Sequence, residues 1–172
     1  YVPRLKAAVA ALGVEPDRAE VIIYQTVRFI RGGEPVKLSK RRGEIVPIRQ
    51  IVEEVGRDAT RFFFLMRSVD AHLDFDIDLA RQQTEENPVY YVQYAHARIC
   101  SIQREAGARG FELTSRPNLN LLSHPSEIEV MRLIADYPEL VTSAARNRAP
   151  HRLTHFAIDL ARAFHQFYDR CR

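Results

Sequence analysis

The sequence contains few cysteines, few lysines and no long apolar run. Cys100 and Cys171 are its two cysteines, and they lie far apart, without Cys-x-x-Cys spacing or a histidine at zinc-finger spacing. A disulfide framework or a zinc site is therefore not expected, and both thiols are predicted to be buried. No apolar stretch approaches the ~20 residues of a membrane-spanning helix, and the N-terminus lacks the pattern of a signal peptide. We expect a cytoplasmic protein without membrane contact.

The scarcity of lysine draws attention to one short segment. Of 25 basic residues only Lys6, Lys37 and Lys40 are lysine, so two of the three lysines fall within four positions. A lysine ammonium is a compact charge on a flexible stem and can reach a phosphate, whereas a guanidinium suits static bidentate pairing. The segment therefore favours phosphate handling, although a chance arrangement in a solvated basic loop is the alternative.

The overall composition is that of an ordinary globular protein, with 46% hydrophobic and 27% charged residues. The formal net charge of +3 belongs to the second half, because residues 1–86 hold fourteen basic and fourteen acidic side chains, whereas 87–172 hold eleven and eight. This excess favours an anionic partner only weakly. The chain starts at Tyr1 rather than methionine, which suggests a fragment of a longer protein.

The sequence of the first part of the chain predicts the C-terminal end of an α/β sheet. Pro3 opens a short helix that ends at Gly13. The β-branched and aromatic residues of 21–30 predict a strand buried in a parallel sheet. Another helix is expected after Pro47, and the apolar run 62–66 is expected to form core rather than a cofactor site.

The second part of the chain predicts an all-α bundle, so the fold class is mainly α. Asn87 as cap and a proline at the first helical position predict a helix over 88–106. The Ser-x-x-Glu pattern at 126–129 predicts a capping box, and Pro138 is expected to start a separate short helix. Pro150 opens the last helix, whose apolar residues keep a spacing of three or four.

Four segments resemble arginyl-tRNA synthetases in their order and spacing. Residues 36–43, Val-Lys-Leu-Ser-Lys-Arg-Arg-Gly, resemble the Lys-Met-Ser-Lys-Ser loop of class I aminoacyl-tRNA synthetases. Gly-Arg-Asp-Ala-Thr-Arg-Phe-Phe-Phe at 56–64 and Leu-Asp-Phe-Asp-Ile-Asp-Leu-Ala at 73–80 add to the likeness. The most specific match is Asn-Pro-Val-Tyr-Tyr-Val-Gln-Tyr-Ala-His-Ala-Arg-Ile at 87–99. The resemblance covers essentially the whole chain.

The resemblance implies catalytic roles for Lys37, Ser39 and Lys40, of which Lys37 and Lys40 also bind ATP. Amino-acid activation builds negative charge on the α-phosphate and the departing pyrophosphate, and lysines on a mobile loop can close on that charge in the transition state. Arg41, in place of the signature's last serine, and Arg42 add charge that faces phosphate or tRNA. No other cofactor is implied beyond ATP with Mg²⁺ as substrate.

The resemblance also implies a division into two domains. Residues 1–84 would be the end of a Rossmann-type catalytic domain with its helical connection, and 85–172 would be an anticodon-binding helical domain. The His-x-Gly-His signature of class I synthetases does not occur in this sequence, so the chain alone should not activate arginine. The implied partners are tRNA(Arg), L-arginine and ATP, with no DNA and a monomeric state expected.

The helix over 88–106 carries the candidate RNA contacts. At 100° per residue Tyr91, Tyr94 and Arg98 lie within about 60° of arc. Two phenol rings and a guanidinium on one stripe can stack unpaired bases. The alternative is that both tyrosines are core-edge residues with satisfied hydroxyl groups. In the family the matching positions meet the anticodon loop, so the resemblance favours tRNA binding for all three residues.

Three other patterns carry weaker signals. Arg146 and Arg148 could contact RNA phosphates or balance a helix C-terminus. Residues 74–85 imitate an EF-hand outline, but a leucine replaces the required glycine, so these carboxylates are expected to alternate outward or cap a helix. His151 and His155 have zinc-like spacing without a third ligand. A stand-alone tRNA-binding module and a helical protein-interaction domain are the rival functions.

Overall fold

The computed structural model describes residues 1–36, 47–111 and 117–171, and it is mainly helical, as predicted. The lysine segment, which we define as residues 37–41, lies outside the described residues together with Arg42. In chain order the helices are α1 (Val2–Ala11), α2 (Ile48–Val55), α3 (Arg57–Leu65), α4 (Ile77–Arg81), α5 (Pro88–Ala108), α6 (Pro125–Arg146) and α7 (His151–Arg170). Short 3₁₀ turns cover Pro16–Arg18 and Leu119–Leu121, and the strands are β1 (Val27–Arg31), β2 (Glu34–Pro35) and β3 (Leu73–Asp76).

The sheet has the strand order β2-β1-β3. Strand β1 pairs parallel with β3, with Val27 opposite Leu73, and antiparallel with β2, with Ile30 opposite Pro35. The parallel pairing agrees with the buried character predicted for this part of the chain. Strand β3 was missed, because it is only four residues long and depends on a partner more than forty positions away.

The strand predicted over 21–30 is wrong at its N-terminal end. The ladder begins at Val27, because β3 begins opposite that residue and no described strand extends beside residues 21–26. Gln25 donates one backbone hydrogen bond to the carbonyl of Val69, at 3.0 Å. Ile23 and Tyr24 are 66% and 74% exposed, so β propensity without a partner strand did not produce a buried strand here.

The first core lies between the sheet and helices α2 to α4. Phe75 and Ile77 at the end of β3 and the start of α4 are fully buried, as is Ile51 of α2. The ring centroids of Phe63 and Phe64 each lie 5.3 Å from that of Phe75. The prediction that the run 62–66 forms core is therefore confirmed for its three phenylalanines, whereas Leu65 is 38% exposed.

The three aspartates of the EF-hand-like segment each serve the local fold. Asp74 on the exposed face of β3 accepts two hydrogen bonds from Arg28, at 2.7 and 2.9 Å. Asp76 caps α4 by accepting from the backbone N–H of Leu79. Asp78 accepts from the backbone N–H of Gly32 at 2.6 Å and so fixes the turn between β1 and β2. The expectation that these carboxylates alternate outward or cap a helix is confirmed.

Helix α5 starts where the sequence predicts, at a buried asparagine. The Asn87 side chain accepts from the N–H of Val89 at 3.0 Å. Its amide group donates to the carbonyls of Ala80 and Gln82, at 3.2 and 2.8 Å. Asn87 therefore joins the end of α4 to the start of α5, and α5 then runs to Ala108, two residues beyond the prediction.

Helix α6 differs from the sequence prediction at two points. The capping box is formed by His124 and Glu127 rather than by the residues at 126–129, because the His124 imidazole accepts from the N–H of Ser126 and Glu127 accepts from the backbone of His124. Pro138 does not start a separate helix but lies inside α6. A mid-helix proline costs about 3 kcal/mol, and packing of α6 along α7 offsets that cost.

The second core joins α5 to α7. Ala95, Ala161 and Phe164 are buried, and small residues at two of these positions let the helices approach closely. Helix α7 meets the end of α3 at Thr154, whose hydroxyl lies 2.8 Å from the carbonyl oxygen of His151 and 3.3 Å from that of Leu65. Both thiols are free and partly buried, rather than fully buried as predicted. Within the described ranges no helix is long and apolar enough to cross a membrane.

Candidate nucleic-acid interface

The three predicted RNA-binding residues of α5 meet two residues of α7 on one side of the bundle. Tyr90, Tyr94 and Arg98 follow one another at intervals of four along α5, with Tyr91 turned toward α7. His165 and Tyr168 of α7 complete the cluster. We call this cluster the aromatic surface; it consists of Tyr90, Tyr91, Tyr94, Arg98, His165 and Tyr168.

Tyr94 is the exposed ring of the aromatic surface, with 40% of the residue accessible. Its ring is nearly parallel to that of Tyr90, at 15° and a centroid distance of 6.2 Å. It is also nearly parallel to the imidazole of His165, at 23° and 5.6 Å. Because much of this ring remains exposed beside its two neighbours, a base can stack on its accessible part, so Tyr94 can serve as a stacking platform.

Arg98 is held by two aromatic residues at once. Its Nη1 donates to the hydroxyl oxygen of Tyr94 at 2.6 Å, and its guanidinium carbon lies 4.2 Å from the ring centroid of Tyr168. The distance of 5.4 Å to the Tyr94 centroid follows from the hydroxyl contact, so the cation stacks on Tyr168 rather than on Tyr94. Hydrogen bonding with Tyr168 is the largest of the causes that raise the pKa of Arg98, which stays cationic.

Tyr91 has a different environment from Tyr94. It packs partly buried against the second core, and its ring centroid lies 4.9 Å from that of His165 at 54°. Burial raises the pKa of the Tyr91 hydroxyl, Arg162 lowers it by less, and Glu85 raises it further, so the group keeps its proton. The core-edge alternative therefore describes Tyr91 better than Tyr94.

His165 and Tyr168 were not identified from the sequence. They come from α7, about seventy positions after Tyr94 and Arg98, and no local pattern in α5 points to them. The signal that could have found them is their position beside the apolar stripe of α7, where two polar aromatic residues are spaced three apart. Of the predicted apolar stripe, Phe164 and Phe167 pack into the second core, whereas Leu153 at the start of the helix is 38% exposed.

Arg148, one of the two weaker candidates, is engaged by a carboxylate. Its guanidinium donates to both oxygens of Glu20, at 2.6 and 2.5 Å, and so ties the turn between α6 and α7 to the loop before β1. Arg146 lies in the last turn of α6, where a cation interacts favourably with the helix dipole. The helix-end alternative therefore accounts for the position of Arg146.

A polar cleft of about 450 Å³ adjoins the aromatic surface at Tyr90. Arg57 at the start of α3 and Arg81 at the end of α4 line it, with Gln93 of α5. Each arginine has a long ion pair within the described chain, 3.4 Å from Arg57 to Asp58 and 3.4 Å from Arg81 to Glu54. Both guanidinium groups are more than half exposed and can turn toward an anion.

Comparison with known proteins shows that most of the aromatic surface lies within a known domain family. Residues 92–172, which include most of it, match the family model described as a DALR anticodon binding domain. The chain is 53% identical to an arginine–tRNA ligase of Moorella thermoacetica over all of this chain and 31% of the relative. It is 47% identical to an arginine–tRNA ligase of Staphylococcus epidermidis over 98% of this chain and 31% of the relative.

Two solved structures have the same fold over 98% of this chain. A putative arginyl-tRNA synthetase from Campylobacter jejuni matches with a TM-score of 0.74 and 33% identity over 36% of its own length. The arginyl-tRNA synthetase of Thermus thermophilus matches with a TM-score of 0.68 and 24% identity over 31% of its length. The chain thus spans about a third of the length of the relatives it matches. Over this length its sequence and fold are those of the arginyl-tRNA synthetases, and the chain belongs to that family.

Proposed function

We propose that this chain supplies the phosphate-binding loop and the anticodon recognition of an arginine–tRNA ligase that activates L-arginine with ATP to arginyl-adenylate and transfers it to tRNA(Arg). The observation that carries the proposal is the exposed Tyr94 with its hydrogen-bonded partner Arg98 on α5, presented by a chain that belongs to this family. The parent protein would act in the cytoplasm as a monomer.

The aromatic surface supports base stacking in a specific way. A base that leaves the anticodon stack can lie on the exposed face of Tyr94, an interaction worth roughly 1–3 kcal/mol. Arg98 contributes a positive charge beside that ring and donates a hydrogen bond to the Tyr94 hydroxyl oxygen.

The polar cleft supports a path for the RNA backbone. Arg57 and Arg81 lie on its walls and Tyr90 lies between the cleft and Tyr94. A strand whose base stacks on Tyr94 would bring its next phosphates to these two guanidinium groups. Phosphate contacts of this kind position an RNA without reading its sequence, so the cleft would orient the anticodon stem-loop.

The lysine segment would serve the first chemical step in the parent protein. Lys40 and Lys37 would bind the phosphates of ATP, supplied with Mg²⁺ as substrate, and stabilise the charge that develops on pyrophosphate as the arginine carboxylate attacks the α-phosphate. Ser39 would donate a hydrogen bond to a phosphate oxygen. Arg41 and Arg42 would add charge toward tRNA. The His-x-Gly-His signature would be supplied by a part of the parent outside this chain.

The proposal is tested by comparing this chain with a version extended upstream through that signature. We expect both to bind a tRNA(Arg) transcript, with log K falling steeply against log salt. Arginine-dependent ATP–pyrophosphate exchange is expected in the extended protein alone. Exchange activity in the short chain would contradict the division of roles, and absence of tRNA binding at low salt would contradict the RNA-binding role.

A further inference from the structure

The imidazole of His165 lies inside the aromatic surface, and one of its ring nitrogens has no hydrogen-bond partner among the described residues. Its Nε2 is inaccessible to solvent and makes no hydrogen bond with any described residue. A buried polar atom without a partner destabilises the folded state, and nearly all such atoms in native structures are paired. An atom left in this condition therefore calls for an explanation outside the isolated fold.

Packing alone does not explain a histidine at this position. The ring lies against Tyr91, Tyr94 and Phe164, at centroid distances of 4.9, 5.6 and 5.7 Å. A phenylalanine would fill the same space among these rings without burying an unpaired nitrogen. The polar atom is therefore kept at a cost in stability, and it sits directly behind the residues proposed to meet RNA.

Tyr94 is the exposed residue among the three whose rings pack against His165. Its ring is nearly parallel to the imidazole, at 23°, and 40% of the tyrosine is exposed to solvent. The Tyr94 ring also lies beside the ring of Tyr90, and its hydroxyl oxygen accepts a hydrogen bond from Arg98. A change of the Tyr94 side-chain rotamer, which is a fast motion for an exposed ring, would open Nε2 to a ligand.

Stacking on the aromatic surface does not by itself distinguish one base from another. Stacking on a tyrosine is tolerant of sequence, whereas hydrogen bonds to base edges carry the discrimination in single-stranded RNA. The Nη1 of Arg98 already donates to the Tyr94 hydroxyl. His165 has the one ring nitrogen in the cluster that is buried and unpaired among the described residues, and an imidazole nitrogen can donate to or accept from a base edge.

We propose that His165 is a specificity-determining residue of the aromatic surface: when RNA binds, the Tyr94 ring moves and Nε2 forms a hydrogen bond with the edge of one unstacked nucleobase. This inference rests on the proposed function, because it takes the ligand to be the anticodon loop. It adds to that function the residue and the atom that read a base.

The experiment compares three substitutions that separate the ring from its nitrogen. His165→Phe keeps an aromatic ring but removes both nitrogens. In His165→Gln the terminal amide reaches the place of Nε2, whereas in His165→Asn the shorter side chain reaches only the place of Nδ1. His155→Phe is the matched control, because His155 lies on the same helix, is exposed, and packs against His151 instead.

The probe is the anticodon stem-loop of tRNA(Arg), intact and with each loop nucleotide in turn made abasic. We expect the Phe and Asn variants to bind the intact RNA roughly 10-fold more weakly and the Gln variant to stay within about 3-fold of the unchanged chain. At one abasic position the unchanged chain and the Phe variant should bind equally. The melting temperature of the Phe variant should be unchanged or higher, since it buries no unpaired nitrogen.

Two results would overturn the inference while leaving the proposed function intact. One is that His165→Phe binds the intact RNA as well as the unchanged chain does. The other is that its loss of affinity is the same for every abasic RNA, which would mean that the ring only supports Tyr94. The proposed function fails separately, if the unchanged chain and a Tyr94→Ala variant bind the stem-loop equally weakly. If His165→Phe does not fold, the RNA affinities of His165→Gln and His165→Asn test the inference, and equal affinities of the two would overturn it.

Discussion

The Nη1 of Arg98 donates to the hydroxyl oxygen of Tyr94 at 2.6 Å, one helical turn away on α5. The same guanidinium lies over the ring of Tyr168 on α7. The hydrogen bond therefore connects the exposed stacking ring to the neighbouring helix through a fixed cation. It makes the aromatic surface a single unit, in which a change at one residue is expected to affect the others.

Tyr94 is expected to act mainly through its ring. Tyr94→Ala removes the stacking face, and we expect a loss of roughly 1–3 kcal/mol in the free energy of binding the anticodon stem-loop. Tyr94→Phe keeps the ring and loses only the hydrogen bond from Arg98, a change of about 0.5–1.5 kcal/mol. Equilibrium titration at constant salt measures both variants. Equal losses in the two would mean that the hydroxyl, and not the ring, carries the contact.

Arg98 is expected to act through its shape as well as its charge. Arg98→Lys keeps the charge but cannot lie flat on Tyr168 while donating to Tyr94. We therefore expect Arg98→Ala to lose roughly 1–2 kcal/mol in the free energy of binding the anticodon stem-loop. Arg98→Lys should lose more than half of that amount. Arg104→Ala, on the exposed surface of the same helix, is the control for general loss of charge. Full recovery by Lys would show that the planar contact with Tyr168 is not needed.

The helix starts show how much of the fold local sequence determines. The start of α5 was predicted correctly, because Asn87 and its proline act on backbone groups within a few residues. Pro138 was misread, because the continuity of α6 depends on its packing along α7, which no local pattern contains. The same reason explains why β3 was missed, since its four residues become a strand only beside β1.

The candidate site could likewise be predicted only in part from local sequence. Tyr91, Tyr94 and Arg98 could be placed on one stripe because helical geometry is periodic, and the resemblance then supplied the partner. His165 and Tyr168 could not be found, because their meeting with α5 depends on the close approach of two helices at Ala95 and Ala161. Sequence also gave Tyr91 and Tyr94 equal roles, whereas burial separates them.

Asn87 is expected to contribute far more to stability than an ordinary helix cap. Asn87→Ala removes a cap worth about 0.5–2 kcal/mol and leaves the carbonyls of Ala80 and Gln82 without their donor. We expect the free energy of unfolding to fall by roughly 3 kcal/mol in total. Asn118→Ala is the control, because that exposed asparagine caps only the short 3₁₀ turn, and urea denaturation compares the two. If Asn87→Ala and Asn118→Ala lowered the free energy of unfolding by a similar small amount, Asn87 would not hold α4 and α5 together.

The pair of Arg28 and Asp74 predicts a specific acid dependence. Hydrogen bonding from Arg28 lowers the pKa of Asp74 below its ordinary value, and both groups are exposed. The stabilisation is therefore present above the unfolded-state pKa of about 4 and is lost as the pH falls through the lower folded-state value. At neutral pH the melting temperature of Asp74→Asn should be slightly lower than that of the unchanged chain. In strong acid the two melting temperatures should be equal. A difference that persists in strong acid would mean that the side chain acts through packing.

Lys40 is expected to act in the transition state of amino-acid activation rather than in ATP binding. Negative charge on the pyrophosphate oxygens grows as the bond to the α-phosphate breaks, so an ammonium placed there stabilises the transition state more than the bound substrate. In the parent protein Lys40→Ala should therefore lower the rate of arginyl-adenylate formation by roughly 10²–10³-fold and weaken ATP binding much less. Single-turnover kinetics separate the two effects. Lys6→Ala is the control, because it removes a lysine of α1 that pairs with Asp17. It should leave the rate of arginyl-adenylate formation and the ATP affinity unchanged. An equal loss of rate and of ATP affinity in Lys40→Ala would mean that the lysine only holds ground-state phosphate.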